Sequence, residues 1–463
     1  MNILLIAPSQ SKVYGNLQPP DYPPLGLAYL GASLEQEGHF VRVIDIDADR
    51  ISEEDFINLL SGSDYGLVGI TATTPTFNNA INLTRLVKEN SNAKTVLGGI
   101  HVTVMPEESI VFDSVDFIVK GEGELTIVEL ARCLEKKVEL KDIRGIIYKQ
   151  NGDVVENENR PLIRNLDDIP FPARHLFNKH NYNYPDALSK PAMPIITSRG
   201  CPESCTYCNS KSIFSHKFRV RGTENILSEI EYLIKKFGAK EIHIWDDNFT
   251  TQRNRVFQIR DEIKRRNIKI KFAFPNGLRA DYVDEEVLGA LKDMGTYSIA
   301  FGVESGNQKV LDRVNKNIKL EEIELAFKLA KKIGLETWGF FMIGLPSETA
   351  DSIKDTIDFA IKLKPDVAKF HILKPFPGSA VYKEFLERGL LLDNDFDHFG
   401  IHTPPVHRLE TLSPDDLLKW HKRAYRSFYL RPSVIIRQLL RLKSFNRIKL
   451  NVSTAFGVLK NMR

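Results

Sequence analysis

The densest chemistry in the sequence lies at residues 198–209, SRGCPESCTYCN, where Cys201, Cys205 and Cys208 fall at C-x3-C-x2-C spacing. That spacing puts three thiolates on one tight loop. Thiolates are the soft, anionic ligands that iron–sulfur clusters take. Three of them on a four-iron cluster leave one iron open to a ligand the protein does not supply. A structural zinc site is the weaker reading, since it wants four ligands, usually in two pairs. The remaining cysteine, Cys133, sits far upstream in a helical pattern. Other polar or glycine-bearing segments follow apolar runs: TATTP (71–75), GGIHVT (98–103), KGEGE (120–124), WDDNFT (245–250), GVESG (302–306) and GFFMIGLP (339–346).

The elements that must carry these segments form two series. Short apolar runs at 2–8, 41–47, 67–73, 94–99 and 116–121 alternate with helical patterns at 25–37, 76–89 and 125–135. Such alternation predicts a parallel, doubly wound α/β sheet over residues 1–140, with ligands at the carboxyl ends of its strands. Residues 141–194 break the pattern. An Asn151-Gly152 turn between strand-like arms marks a hairpin, and a proline- and aromatic-rich stretch follows, so this region is expected to connect two domains. Over 195–395 the alternation returns in six strand–helix units, short of a full eightfold barrel, which predicts a partial barrel. Residues 396–463 read as helical and basic.

The cysteine loop resembles the signature of the radical S-adenosylmethionine (SAM) superfamily, and the resemblance extends over the whole partial barrel. It implies a 4Fe–4S cluster on Cys201, Cys205 and Cys208 whose open iron binds the amino and carboxylate groups of SAM. One electron then cleaves the sulfonium, giving methionine and a 5′-deoxyadenosyl radical that abstracts hydrogen from a substrate. Tyr207 is implied to lie against the adenine. Asp246 and Asp247 would receive the methionine ammonium, where the family often has glycines. Glu304, with Ser305 beside it, would accept the ribose hydroxyls, and Gly344 lies in the segment expected beside adenine. Blander readings stay open: a helix N-cap for Asp246 and Asp247, an ordinary strand-end carboxylate for Glu304, and a simple turn at Gly344.

Residues 23–30 (PPLGLAYL), 98–103 and 120–124 resemble the cobalamin-binding domain that precedes many radical SAM enzymes. In that family the nucleotide tail of the cofactor enters the sheet and the corrin ring faces the barrel. The resemblance implies hydrogen bonds to the tail from Thr71, Thr73 and Thr74, and a corrinoid environment that includes His101 and Gly121. Gly98 and Gly99 would let the backbone approach closely, having no side chain. The D-x-H-x-x-G motif that supplies a lower histidine ligand is absent; the corresponding loop reads PSQSKVYG (8–15). His101 has the alternative of being a satisfied loop histidine. The subgroup resembled contains the anaerobic magnesium-protoporphyrin cyclase, hopanoid-modifying enzymes and methyltransferases.

Composition fits a globular protein, with 42% hydrophobic and 27% charged residues in 463. Four cysteines, three of them crowded together, argue against a disulfide framework and for a reducing cytoplasm. The N-terminus reads as a strand, not a signal peptide. Residues 417–463 hold twelve Lys or Arg and no Asp or Glu, so the basic excess belongs to the tail and does not indicate nucleic acid binding. Ile435, Ile436, Leu439, Leu440 and Leu442 recur at helical spacing there, which suits either packing on the barrel or a peripheral membrane contact. The expected function is a cobalamin-dependent radical enzyme, methylating an unactivated carbon or performing a cyclisation or rearrangement. Its electron donor would be a flavodoxin or ferredoxin, and its substrate a small molecule such as a lipid or pigment. Two alternatives stand beside it: a radical SAM enzyme whose first domain binds no corrinoid, and a non-catalytic cobalamin or redox sensor.

Overall fold

The computed structural model describes residues 1–14, 22–177, 182, 184 and 187–440. Five parallel strands open the chain: β1 (Asn2–Ala7), β2 (Phe40–Asp45), β3 (Leu67–Thr71), β4 (Lys94–Gly98) and β5 (Phe117–Val119). They lie in the order β2-β1-β3-β4-β5, so the chain reverses direction across the sheet at β1. Helices cover both faces, which is why β1 and β3 are near-continuous apolar runs rather than alternating ones. Two cores result, one on each face, built around Leu5, Val96 and Ile127 and around Leu4, Val68 and Phe77.

The Asn151-Gly152 turn does make a hairpin, of β6 (Ile146–Gln150) and β7 (Asp153–Glu156). It is no part of a separate connector, however. Strand β6 pairs antiparallel with β5, Phe117 opposite Tyr148, and extends the first sheet to seven strands among the described residues. The connecting segment therefore begins after β7.

The second sheet is all parallel, in the order β15-β14-β13-β12-β11-β8. Its strands are β8 (Ala192–Ile195), β11 (Glu241–Ile244), β12 (Lys271–Leu278), β13 (Thr296–Glu304), β14 (Glu336–Ile343) and β15 (Val367–Ile372), each neighbour reached through a helical crossover. Here the burial alternates. In β14, Thr337, Gly339, Phe341 and Ile343 are buried toward the helices, while Trp338, Phe340 and Met342 face the hollow side and stay half-exposed. The result is the expected partial barrel with an accessible lumen. A small antiparallel pair, β9 (Ser198–Arg199) with β10 (Arg219–Val220), closes the base of the cysteine loop.

Helix Pro414–Tyr429, started by a Ser413–Asp416 capping box, packs Leu417, Ala424 and Phe428 against the last barrel strand. Its polar tips bond that strand's outer backbone. Tyr429 Oη accepts from Ala368 N at 3.1 Å and donates to Ala368 O at 2.8 Å, and His421 Nε2 lies 2.9 Å from Phe370 O. Helix Pro432–Leu440 follows, with Val434 buried and Ile435 and Ile436 exposed. The rest of the basic tail, including Leu442, lies outside the described residues. Among the described residues, no helix is long and apolar enough to cross a membrane.

Candidate active site

The cysteine loop leaves β9 through Gly200, whose φ of +87° is left-handed, and a Cβ there would collide with the carbonyl of Lys217. Neighbouring segments pin it. Gly200 N donates to Asp247 Oδ2 (3.0 Å), Thr206 N to Val314 O (3.0 Å), and Val381 N to Thr206 O (3.0 Å). Cys201 and Cys205 are half-buried and Cys208 is exposed, all as free thiols. Among the described residues, no His, Cys, Asp or Glu group converges as ligands of a single metal ion would. Their chemistry as a set, three soft thiols on one braced loop, fits a polynuclear iron–sulfur cluster.

Beside the loop stands Glu304, at the end of β13. It adopts φ +66°, unusual for a residue with a side chain. Its Oε1 lies 3.0 Å from Lys316 Nζ, and Lys316 Nζ lies 3.4 Å from the Tyr207 hydroxyl. A Cβ at Gly302 would crowd Glu304 Oε1 at 2.6 Å, so glycine there leaves the carboxylate room to curl back. Burial opposes the Lys316 charge, but Glu304 beside it raises its pKa overall. Burial, reinforced by the Glu304 charge, pushes the Tyr207 phenol well above its ordinary value. Glu304 and Lys316 thus join Tyr207 of the cysteine loop in one polar cluster, and that cluster fits the ribose and adenine of SAM.

A cavity of about 320 Å³ opens at the carboxyl ends of the first sheet's strands. Leu5, Val96, Val119 and Ile127 make its apolar walls, with Gly69, Thr71, Gly98, Gly99 and Gly121 between them. Gly99 has φ +104°, and a Cβ there would come within 2.6 Å of Ala72 O. This apolar cleft, bordered by residues without side chains, fits the nucleotide tail of cobalamin. Its far wall belongs to the barrel: Ser198, Arg199, Phe214, Trp245 and Asp247. A second cavity of about 400 Å³ occupies the lumen, lined by Phe274, Tyr297, Trp338 and Lys369 among others. Ile196 and Trp245 border both cavities, so the cleft and the lumen are neighbours.

Residues 195–360 match the Radical SAM superfamily model, and residues 12–131 match the B12 binding domain model. The chain is 36% identical over 96% of its length, and 96% of the relative's, to an uncharacterised methyltransferase of Pyrococcus horikoshii. The chain belongs to the cobalamin-dependent radical SAM enzymes. The anaerobic magnesium-protoporphyrin IX monomethyl ester cyclase of Rubrivivax gelatinosus is 28% identical, over 93% of this chain and 78% of the cyclase. The fold is shared with the cobalamin-dependent SAM radical enzyme OxsB, at TM-score 0.75 and 19% identity, covering 100% of this chain and 71% of that one. Enzymes of this family use a 4Fe–4S cluster, SAM and cobalamin, require a reductant and act on small molecules.

Several residues that the resemblance assigned to cofactors are occupied otherwise in this radical SAM enzyme. Asp246 is buried and accepts from Thr197 N (2.6 Å), Thr197 Oγ1 (2.5 Å) and Ser198 Oγ (2.5 Å); it braces the strand entering the cysteine loop. Asp247 beside it is exposed and lines the cleft. Ser305 is buried against Thr356 Oγ1 at 3.0 Å. Gly344 is a buried turn whose N–H donates to Glu348 Oε2 (2.7 Å) and whose carbonyl meets His407 Nε2 (3.0 Å). Thr73 and Thr76 cap the following helix through each other's hydroxyls. Thr74 is turned inward to His101 Nδ1 at 3.3 Å. His101 itself is fully buried between Phe77 and Phe396, and burial lowers its pKa to about 4. Its Nε2 has no hydrogen-bond partner among the described residues, and the ring packs as an aromatic between the two phenylalanines, outside the lining of the cleft.

The sequence reading missed Lys316, Arg199 and the two carboxylates Glu122 and Glu124. Arg199 lies in the cysteine segment and the two carboxylates in the segment 120–124, where nothing in the spacing marks them. Their arginine partners lie 75 or more residues away, and no local pattern encodes a pairing at that distance.

Proposed function

We propose that this enzyme transfers a methyl group to an unactivated carbon of a small molecule held in the barrel lumen, with Cys201, Cys205 and Cys208 as cluster ligands. When bound, the cluster and SAM supply a hydrogen-abstracting radical and cobalamin supplies a methyl carrier. Around them the chain's own residues do the positioning. Glu304 and Tyr207 face the ribose and adenine, and Asp247 offers a carboxylate to the methionine ammonium. Thr71, Gly98, Gly99 and Gly121 receive the corrinoid tail. Trp245 stands between cleft and lumen, and Trp338 with Tyr297 gives the lumen an aromatic lining suited to a flat, apolar substrate such as a pigment or lipid. A flavodoxin or ferredoxin is the proposed electron source.

One observation carries this reading: the corrinoid cleft and the barrel lumen share Ile196 and Trp245 as a common wall, so a methyl carrier in one adjoins a substrate in the other. The similarity to a methyltransferase along almost the whole chain favours methylation. Cyclisation is the second reading, favoured by the similarity to the magnesium-protoporphyrin ester cyclase. Product analysis separates the two. A methylating enzyme turns SAM into both S-adenosylhomocysteine and 5′-deoxyadenosine under reducing conditions, while a cyclase yields 5′-deoxyadenosine without S-adenosylhomocysteine. Substrate-dependent 5′-deoxyadenosine alone would sink the methylation reading.

A further inference from the structure

Both feet of the cysteine loop stand on the loop that lines the corrinoid cleft. Residues 200–218 leave from Arg199 and return to Arg219, which are register partners in the β9–β10 pair. Glu122 bonds both guanidinium groups, Arg199 Nη1 at 2.9 Å through Oε1 and Arg219 Nη1 at 2.8 Å through Oε2. Glu124 takes the other Arg199 nitrogen, Nη2, at 2.5 Å. Glu122 Oε2 also accepts from Ile163 N at 2.8 Å, which ties in the connecting segment. The carboxylate side chains are 5% and 8% exposed, so these are desolvated, charge-assisted contacts rather than surface pairs. Burial pushes the Glu122 carboxyl up, but Arg219 and Arg199 together hold it below its usual value.

The same carboxylates belong to the cleft, since Gly121, Glu122, Gly123 and Glu124 all line it. Between two glycines, Glu122 has few braces within its own loop. Its position is set by what its carboxylate grips. It grips Arg199, Arg219 and Ile163 N, and the next neighbours of Arg199 in sequence are Gly200 and the first cluster ligand, Cys201.

We infer that Glu122 and Arg199 are positioning residues that couple the two cofactor sites, so that ordering the cysteine loop around its cluster also orders the cleft for the corrinoid. The inference rests on the cluster and cobalamin assignments above. A ligated loop holds its two arginines at fixed separation, and that fixes Glu122 and the cleft wall. An unligated loop leaves them to move, and the corrinoid must then bear the ordering cost itself. Linkage makes the effect reciprocal between the two sites.

The test measures hydroxocobalamin affinity by equilibrium dialysis, with the full chain either cluster-free or anaerobically reconstituted with iron and sulfide. Wild type is expected to bind hydroxocobalamin about five- to tenfold more tightly once the cluster is in place, at the low end of ordinary coupling. In Glu122→Gln and in Arg199→Lys the ratio should fall to within about twofold, while both variants still take up iron and still bind hydroxocobalamin. Arg199→Lys keeps the charge but loses the planar fork that gives a separate nitrogen to each carboxylate, so it serves if the first variant folds poorly. Equal affinities in the two wild-type forms would overturn the coupling and leave the function intact. Variants that keep the wild-type ratio would overturn it as well. A wild type that takes up iron but binds no hydroxocobalamin would remove both the coupling and the cobalamin assignment.

Discussion

Asp246 and Asp247 are adjacent carboxylates with opposite fates: one is consumed by Thr197 and Ser198, the other opens on the cleft. Sequence alone cannot separate them, because which way each residue faces depends on where the strand ends. The cysteine loop is readable for the opposite reason, since C-x3-C-x2-C is a pattern of local spacing alone. Replacing Cys201, Cys205 or Cys208 by alanine should each abolish reductant-dependent 5′-deoxyadenosine release and lower reconstituted iron. Cys133→Ala should leave both near wild type, because Cys133 packs on the first sheet's core. His101 carries a pH prediction. Its pKa is about 4 in the fold and about 6.5 when unfolded. The neutral ring therefore stabilises fully above pH 6.5, and that contribution is lost as pH falls toward 4. At pH 5 the loss is about 2 kcal/mol. His101→Phe, between Phe77 and Phe396, should shrink the drop in stability between pH 7 and pH 5 by that amount in urea unfolding. An unchanged drop would place the acid sensitivity elsewhere.

Strands and helices were largely readable, because a parallel strand buried on both faces shows as an unbroken apolar run and the crossovers show a 3.6-residue period. The hairpin stands where the Asn151-Gly152 turn predicts it, but in the first sheet rather than in a connector. Its turn is written locally, whereas its pairing with β5 joins segments separated by the whole helix Glu124–Lys136. The helix Glu53–Ser61 carries only a short apolar period, and its Ser52–Asp55 capping box is the main local sign of it. Elements are also joined by groups that no periodicity reveals. Arg174 of the connecting segment and Arg221 after β10 both pair with Glu229, whose side chain is 0% exposed on helix Thr223–Phe237. Glu229→Gln would leave two buried guanidinium groups without a counterion and should cost about 3–5 kcal/mol. Faster proteolysis of the segment around residue 174 would report it; wild-type resistance would mean that water reaches the pair.

At the scale of the whole molecule, two α/β units face each other across a cleft, and the order of the domains was evident from where each alternating series began and stopped. What joins them was not, since the Glu122–Arg199–Arg219 contacts and the shared Trp245 wall arise only after both sheets have formed. The far side of the barrel has its own dependence on a distant element. Among the described residues, strand β15 pairs with β14 on one side alone, and its other side is met by Tyr429, Tyr425 and His421 in place of a seventh strand. Side-chain tips are weak substitutes for a ladder, and once they are gone the row of free amides and carbonyls becomes a template for a strand from another molecule. A chain cut after residue 413 should therefore self-associate with rising concentration in light scattering, whereas one cut after residue 440 should keep the association state of the full chain. Helix Pro414–Tyr429 is then what keeps an open barrel from recruiting its neighbours.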